Sequence, residues 1–229
     1  MPKPFVDRHD AGRALAGKLR QYAREPSVLV LGLPRGGVPV AYEVAVALGV
    51  PLDVFVVRKL GVPGHEETAF GAIASGGVRV LDSAVVAYLR MSDAAIDMVT
   101  RREQLELDKR EQLYRPDRQF SSVEGRTVIL VDDGIATGAS MFAAVQALRQ
   151  EHPAKIIVAA PVASSDAIQA LSTIADECVC VFVPAIFQAV GLWYLDFDQT
   201  TNDEVRRLLR EARDRRGPAA QTVGLGADA

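Results

Sequence analysis

Two adjacent carboxylates, Asp132 and Asp133, follow directly on a short apolar stretch and precede a turn rich in small residues. The stretch at 127–131 is β-branched and apolar, which predicts a strand of a parallel sheet covered on both faces. Such a strand ends at the sheet edge where ligands bind and where the next helix points free N–H groups outward. We therefore predict an anion site here, with carboxylates that need hydroxyl groups, a cation or water as partners.

A sugar phosphate would satisfy both needs of this turn. Its ring hydroxyls would donate to Asp132 and Asp133, and its phosphate would accept from the N–H groups of residues 136–140. The hydroxyls of Thr137 and Ser140 would add donors, and charge-assisted hydrogen bonds contribute about 1.5–3 kcal/mol each. The simpler alternative is an acidic turn that only terminates a strand.

The stretch 128–140, VILVDDGIATGAS, resembles the signature with which type I phosphoribosyltransferases bind phosphoribosyl pyrophosphate (PRPP). The resemblance implies a Rossmann-like α/β fold, in which helices flank a parallel sheet of about five strands and a helical insertion and a small hood are added. It also implies Mg²⁺-dependent transfer of ribose 5-phosphate from PRPP to a nitrogen acceptor, a nucleobase or related amine, with release of pyrophosphate. The PRPP-binding residues that it implies at this turn are Asp132, Asp133, Gly134, Ala136, Thr137, Gly138, Ala139 and Ser140. Both aspartates are also the expected catalytic and magnesium-binding carboxylates, the latter mostly through water and PRPP.

A second turn with anion-binding chemistry follows the predicted strand 27–31. It places the guanidinium of Arg35, which can pair with two phosphate oxygens at once, beside Gly36 and Gly37. Taken alone, this sequence is also compatible with an ordinary surface turn. Beside the acidic turn it resembles the pyrophosphate-binding loop of the same family, in which the corresponding peptide bond, Pro34-Arg35 here, is often cis.

Two cations, Arg58 and Lys59, follow a predicted buried strand at 52–57. The residues up to Glu67 show no packing pattern, which predicts a mobile loop. The basic pair resembles the one before the flexible catalytic loop in adenine and orotate phosphoribosyltransferases. The resemblance makes Arg58 and Lys59 catalytic candidates and implies that the loop at 59–70 closes over the site, whereas a solvated basic pair at a strand end is the alternative.

The elements that must position these residues alternate between strands and helices, which predicts a parallel sheet with right-handed crossovers. The predicted strands of that sheet are 27–31, 52–57, 127–131, 155–160 and 178–183. Residues 70–74 and 78–81 predict a hairpin. We expect a single phosphoribosyltransferase domain over residues 1–216, followed by a disordered tail at 217–229.

Two segments add to this core. Residues 83–118 form the predicted helical insertion, with a long charged helix that Ser92 caps. We interpret the insertion as a dimer contact or a lid, with a solvated spacer as the alternative. Residues 184–200 form the predicted hood, whose aromatic side chains could stack on a planar base or form a satellite core under the last helix. The acceptor-pocket candidates in the hood are Phe187, Trp193 and Asp196.

One position departs from part of the family. In its oxopurine enzymes an aspartate precedes the Thr-Gly pair, and this chain has Ala136 there. No carboxylate can assist the purine ring at that position, so hypoxanthine or guanine transfer is disfavoured. The candidate bases for another acceptor are Glu66, Glu67 and Asp196.

The charge and hydropathy of the chain limit the kinds of partner that it can bind. A net charge of -3 and a pI near 5.7 give no long-range attraction to nucleic acid or to an anionic membrane. The uncharged stretch 178–195 is interrupted by Pro184 and begins as a buried strand, so we expect no membrane span. Cys178 and Cys180 fit neither a zinc site nor a disulfide framework, which indicates reduced strand residues in a cytoplasmic protein.

The sequence thus predicts a cytoplasmic enzyme, organised as a homodimer, with PRPP and a small-molecule acceptor as its partners. A protein that binds PRPP or a nucleotide for regulation, without catalysis, would need the same acidic turn. A serine or zinc hydrolase acting on a phosphosugar is disfavoured, because the histidines are scattered and no hydrolase motif is present.

Overall fold

A computed structural model of the chain describes residues 4–116 and 119–215. The tail 217–229, predicted to be disordered, lies outside the described residues, as does the end of the predicted insertion, 117–118. The strands are β1 (Val28–Gly32), β2 (Leu52–Val54), β3 (Val57–Val62), β4 (His65–Ala74), β5 (Val78–Leu81), β6 (Thr127–Val131), β7 (Lys155–Val162) and β8 (Glu177–Phe182). The α-helices are α1 (Arg8–Lys18), α2 (Gly37–Leu48), α3 (Ser83–Tyr88), α4 (Asp93–Tyr114), α5 (Ala139–Gln150), α6 (Ser165–Leu171) and α7 (Asn202–Asp214).

The central sheet has five parallel strands in the order β2-β1-β6-β7-β8. This confirms the five-stranded parallel sheet predicted from the alternation of strands and helices. Strands β1 and β6 are direct neighbours, and their last residues, Gly32 and Val131, lie opposite each other. The direction of strand succession reverses between them, because the chain leaves β1 toward β2 and later returns to β6 on the other side. In open parallel sheets such a reversal leaves a crevice at the carboxyl ends of the two strands, which is where ligands bind.

Hydrophobic side chains cover both faces of this sheet. In β1, Val28 and Val30 pack with α1, α2 and α7, whereas Leu29 and Leu31 pack with α5 and α6. All four side chains are essentially buried, and full burial of one such side chain contributes about 1.5–3 kcal/mol. The strand ends at this crevice are therefore rigid supports for the turns that follow them.

The segment after β2 differs from its prediction. The predicted strand 52–57 stops at Val54, and the residues expected to form a mobile loop belong to β3 and β4, which pair antiparallel. The expectation was wrong because irregularities of pairing around Gly61 interrupt the alternation of side chains that identifies a strand. The predicted hairpin next to it is confirmed, since β4 and β5 pair antiparallel and complete a second sheet of three strands.

The long helix of the insertion is confirmed, and the Ser92 hydroxyl caps it by accepting from the Ala95 N–H at 3.3 Å. One face of α4 buries Ile96, Val99 and Leu107 against the three-stranded sheet and α7. The interpretation of α4 as a solvated spacer is therefore wrong. Its outer face exposes large apolar side chains, among them Met98 and Leu105.

The hood is joined to the amino-terminal end of the described chain. Phe5 donates its N–H to the Trp193 carbonyl and accepts from the Leu195 N–H, both at 2.8 Å. Asp196 donates its N–H to the Val6 carbonyl at 2.9 Å. This short ladder fixes the hood directly in front of the first turn of α1.

Cys178 and Cys180 are free thiols in β8, as predicted, and burial raises the pKa of Cys180 to about 12. Within 4–116 and 119–215, no helix has both the length and the apolar character needed to cross a membrane.

Candidate active site

The crevice between β1 and β6 brings the two predicted anion-binding turns together. Leu33 donates its N–H to the Val131 carbonyl at 2.9 Å, so the turns begin side by side. A Cβ atom built on Gly36 would lie 2.0 Å from an Asp133 carboxylate oxygen, and one on Gly37 would lie 2.8 Å from the Asp132 Cα. Only residues without a side chain allow this approach, so both glycines are needed for the contact between the turns.

One oxygen of each carboxylate in the acidic pair accepts a hydrogen bond from the protein. Asp132 accepts the Asp133 N–H on Oδ1 at 2.9 Å, and Asp133 accepts from Arg8 Nε on Oδ2 at 2.8 Å. Within the described part of the chain, Asp132 Oδ2 and Asp133 Oδ1 have no hydrogen-bond partner. Burial, followed by the negative charge of Asp133, raises the pKa of Asp132 well above its ordinary value. Burial also raises the pKa of Asp133, and the Arg8 guanidinium opposes that shift.

Arg8 is a site residue that the sequence did not reveal. It is the first residue of α1, and it lies 125 positions from Asp133 in the chain. Its Nη1 donates to the Asp198 carbonyl at 2.7 Å, and its guanidinium carbon lies 3.9 Å from the centre of the Phe197 ring. The amphipathic pattern of this segment predicts only packing, so no local signal pointed to this contact.

Only some N–H groups of the loop at 134–140 are available to a ligand, since Ile135 donates to the Val162 carbonyl at 2.9 Å and Ala139 donates to Thr137 Oγ1 at 3.4 Å. The N–H groups of Ala136, Thr137 and Ser140 make no hydrogen bond with any residue of the described chain, and Gly138, with φ at +75°, supplies the left-handed residue before α5. The loop carbonyls are held from behind, since Ser164 donates its hydroxyl to the Ala136 carbonyl at 2.6 Å and its N–H to the Ile135 carbonyl at 2.9 Å. The loop encloses a cavity of about 120 Å³, which is lined by Asp132 and 134–141 but not by Asp133.

Arg35 lies at the tip of the first turn, and the Pro34-Arg35 peptide bond is cis, as expected from the resemblance. Its guanidinium forms no ion pair or hydrogen bond with the residues that the structure describes. Burial raises the pKa of Tyr114 at the end of α4, and the positive charges of Arg110 and Arg35 oppose this shift. The insertion helix therefore ends within electrostatic range of the first turn.

The two cations of β3 point to opposite faces, as neighbours on a strand must. Arg58 forms a short ion pair with Glu103 on α4, whose side chain is only 10% exposed. Lys59 lines a cavity of about 400 Å³ between the three-stranded sheet and α5, and it has no acidic partner within the described residues. The structure thus separates a pair that the sequence placed together. Of the two cations only Lys59 is without an ion-pair partner in the described chain, and the cavity that it lines contains no residue of the acidic turn or of the Arg35 turn.

The hood reaches the acidic pair with residues other than those predicted. Val190 packs directly on Gly134, where an added Cβ would lie 2.3 Å from Val190 Cγ1. Tyr194 donates its hydroxyl to the Asp133 carbonyl at 2.5 Å. Among the predicted acceptor residues, Trp193 instead stacks on Phe182 in a satellite core, with ring centres 5.8 Å apart.

The other two acceptor candidates lie apart from that core. Phe187 is half-buried, and Asp196 is exposed and accepts the Asp198 N–H at 3.0 Å. The candidate bases Glu66 and Glu67 are exposed in the first part of β4. Both glutamate side chains therefore belong to the hairpin of β3 and β4 and not to the crevice.

A substitution at Gly36 tests the contact between the two turns. Gly36 has φ at −62°, so alanine fits the backbone, but its Cβ would overlap the Asp133 carboxylate. We expect Gly36→Ala to displace Asp133, to destabilise the protein by about 1–3 kcal/mol and to weaken anion binding at the crevice. Gly17→Ala is the matched control, because nothing lies within 4 Å of its Cβ. Urea unfolding of both variants is the measurement, and equal stability of Gly36→Ala and the unmodified protein would contradict the contact.

Comparisons with known proteins agree with this geometry. The family model described as "Phosphoribosyl transferase domain" matches residues 7–195. Two proteins from Mycobacterium tuberculosis strains, each named "Putative phosphoribosyl transferase", are 49% identical to this chain over 210 residues, which is 92% of this chain and 47% of theirs. The chain thus spans about half the length of these relatives. The crystal structure of TT1426 from Thermus thermophilus superimposes with a TM-score of 0.83 at 45% identity and covers 91% of this chain and 98% of that one. The chain therefore belongs to the phosphoribosyltransferase family and has the type I fold of that family.

Proposed function

We propose that the protein transfers ribose 5-phosphate from PRPP to a nitrogen acceptor and releases pyrophosphate. The observation that supports this most directly is the arrangement of unused groups at the crevice. Asp132 Oδ2 and Asp133 Oδ1 can accept from two ribose hydroxyls, while the N–H groups of Ala136, Thr137 and Ser140 can donate to the 5-phosphate. A vicinal diol next to a phosphate matches this set, and membership of the family makes PRPP the expected ligand.

In the proposed reaction, the bond between ribose C1 and a pyrophosphate oxygen breaks and a bond from C1 to the acceptor nitrogen forms. The protein must hold the ribose in line with the acceptor, stabilise the charge that builds up on pyrophosphate, and exclude water. The first task falls to the acidic pair and the loop. The second is assigned to Arg35, which lies in the first turn of the crevice, and to Lys59, whose role follows from the family resemblance; neither has an ion-pair partner in the described chain. Arg58 supports the hairpin through Glu103 instead.

Magnesium fits the acidic pair as a partly water-bound ion. Hard carboxylate oxygens suit Mg²⁺, and this ion usually keeps several waters and relies on substrate phosphates. Each aspartate has one oxygen to offer, and the described residues contain no group of three or more His, Cys, Asp or Glu side chains placed around a common metal position. When bound, Mg²⁺ would neutralise charge on pyrophosphate.

The residue at position 136 restricts the choice of acceptor. Ala136 removes the carboxylate that oxopurine enzymes of the family have at this position, which favours other acceptors. Val190 and Tyr194 fix the hood against the loop, so Phe187 and Asp196 remain the acceptor-pocket candidates, whereas Trp193 serves the satellite core.

The test is a two-step experiment. Calorimetric titration with PRPP and Mg²⁺ is expected to show saturable binding, and a panel of nucleobases and small amines is expected to include at least one that gives pyrophosphate release. Binding without release from any acceptor would favour the regulatory alternative. Failure to bind PRPP would overturn the proposal.

The predicted homodimer is also a proposal. The exposed apolar side chains on the outer faces of α3 and α4, including Tyr88, Met98 and Leu105, are the candidate contact. Light scattering after size-exclusion chromatography measures the mass directly, and the mass of one chain would exclude the dimer at the concentration used.

A further inference from the structure

We propose that Arg8 is a positioning residue of the phosphosugar site, which holds the Asp133 carboxylate and the hood segment 190–198 in one fixed arrangement. This inference rests on the proposed function, because it assigns Arg8 to the same crevice. Neither the motif of the acidic turn nor the family resemblance pointed to this residue.

The guanidinium of Arg8 makes three separate contacts. Nε pairs with Asp133 in the acidic turn, Nη1 bonds the Asp198 carbonyl, and the plane lies over the Phe197 ring. These partners come from two segments far apart in the chain. A planar guanidinium can serve them together, whereas an ammonium group offers neither the fork nor the stacking plane.

The second observation is that the position of Arg8 is itself fixed. Asp7 caps α1 by accepting from the Asp10 N–H at 2.7 Å, so the first turn is ordered. Ahead of it, Phe5 and Val6 bond to residues 193–196, while behind it Ala11 and Leu15 are fully buried. Arg8 is thus held from both sides, and its side chain is only 12% exposed.

The third observation is how little freedom Asp133 has once Arg8 is in place. The carboxylate lies between Arg8 and the Gly36 backbone, and Tyr194 holds the main-chain carbonyl of the same residue. This leaves Oδ1 as the atom available to a ligand. Removal of Arg8 would leave a buried carboxylate without its ion-pair partner, and Asp133 would then turn toward solvent or bind the cation of the buffer.

Hydrogen exchange of the ligand-free protein is the first test. Arg8→Gln is expected to speed exchange in residues 132–138 and in residues 190–198 together, because both segments lose the same anchor. Arg13→Gln is the matched control, since Arg13 lies on the same helix with its side chain 57% exposed and should leave both segments unchanged. Unchanged exchange in either segment of Arg8→Gln would overturn the inference, whether or not the protein binds PRPP.

PRPP titration is the second test. Arg8→Gln is expected to weaken PRPP binding by about tenfold or more, since Asp133 must be reordered for each binding event. Arg8→Lys, which keeps the charge, should recover part of the loss, and Phe197→Leu should show a smaller loss. Equal affinity of Arg8→Gln and the unmodified protein would refute the positioning role and leave the proposed function intact. If Arg8→Gln does not fold, Arg8→Lys and Phe197→Leu replace it in both tests. Exchange and PRPP affinity equal to those of the unmodified protein in both variants would then refute the positioning role.

Discussion

Asp132→Asn is expected to lower PRPP-dependent turnover severely and, at the same time, to raise the Tm of the ligand-free protein. The carboxylate is desolvated and lies beside the negative charge of Asp133, which is why its pKa is raised in the folded state. A carboxyl group with a raised folded-state pKa destabilises the fold at any pH where it is ionised in the unfolded chain. Asparagine keeps the acceptor for the Asp133 N–H but removes the charge, so the fold gains stability while the ribose loses its partner.

The effect on turnover should be about 10²-fold or more, as for other groups that act on the reacting part of a substrate. Thermal melts without ligand or divalent cation measure the gain in stability, and each 1 kcal/mol corresponds to about 2–4 °C for a chain of this size. The gain should disappear as the pH falls below the ordinary pKa of an aspartate, because the carboxyl group is then neutral in both states. A lower Tm at neutral pH would mean that the negative charge of Asp132 does not destabilise the folded protein.

Asp133→Asn is the contrasting variant. It should also lose PRPP affinity, but its gain in Tm should be smaller than that of Asp132→Asn. The raised pKa of Asp133 favours removal of its charge, whereas the loss of the ion pair with Arg8 opposes this gain. Calorimetric titration of both variants completes the comparison. Unchanged PRPP binding by either variant would remove that aspartate from the ribose site.

Lys59→Ala is expected to lower kcat by about 10²–10³-fold while the KM for PRPP changes little. Lys59 is exposed on β3 and has no acidic partner in the described chain. In the proposed mechanism its charge acts on pyrophosphate as negative charge develops there. An interaction that strengthens only in the transition state changes kcat without changing the binding of the substrate. Steady-state kinetics with saturating acceptor and varied PRPP measures both constants.

Arg58→Ala is the matched control for this prediction, because it removes the adjacent cation on the opposite face. Its main effect should be on stability, since buried Glu103 would lose its shorter ion pair and keep only the one with exposed Arg102 at 3.1 Å. A similar loss of kcat in both variants would mean that Arg58 also acts in catalysis. Equal losses in affinity and turnover for Lys59→Ala would mean that Lys59 only binds PRPP.

The residues that could be placed from the sequence are those whose role depends on their immediate neighbours. Asp132 and Asp133 follow a buried strand and precede a glycine turn, so local pattern was enough to locate them at the sheet edge. The Arg35 turn follows the same rule after β1. The adjacency of the two turns follows from the strand order, because β1 and β6 are neighbours at the reversal.

The residues that were missed or misplaced depend on contacts between distant segments. Arg8 meets Asp133 only because α1 packs over the sheet, and nothing in its own segment indicates this. The irregular segment around Trp193 suggests a contact with the acceptor, whereas the ladder with Phe5 turns this side chain toward Phe182. The hairpin of β3 and β4 was missed because its glycines and bulge interrupt the alternation of buried and exposed residues.

The opposite orientation of Arg58 and Lys59 limits how the length of the hairpin can change. A single residue inserted between Arg58 and Lys59 would place both side chains on the same face of the strand, so one of them would lose the surroundings that it has now. Two inserted residues would restore the original faces. Functional variants of this hairpin should therefore differ in length at this point by even numbers of residues, and a library of insertions would show activity at every second length.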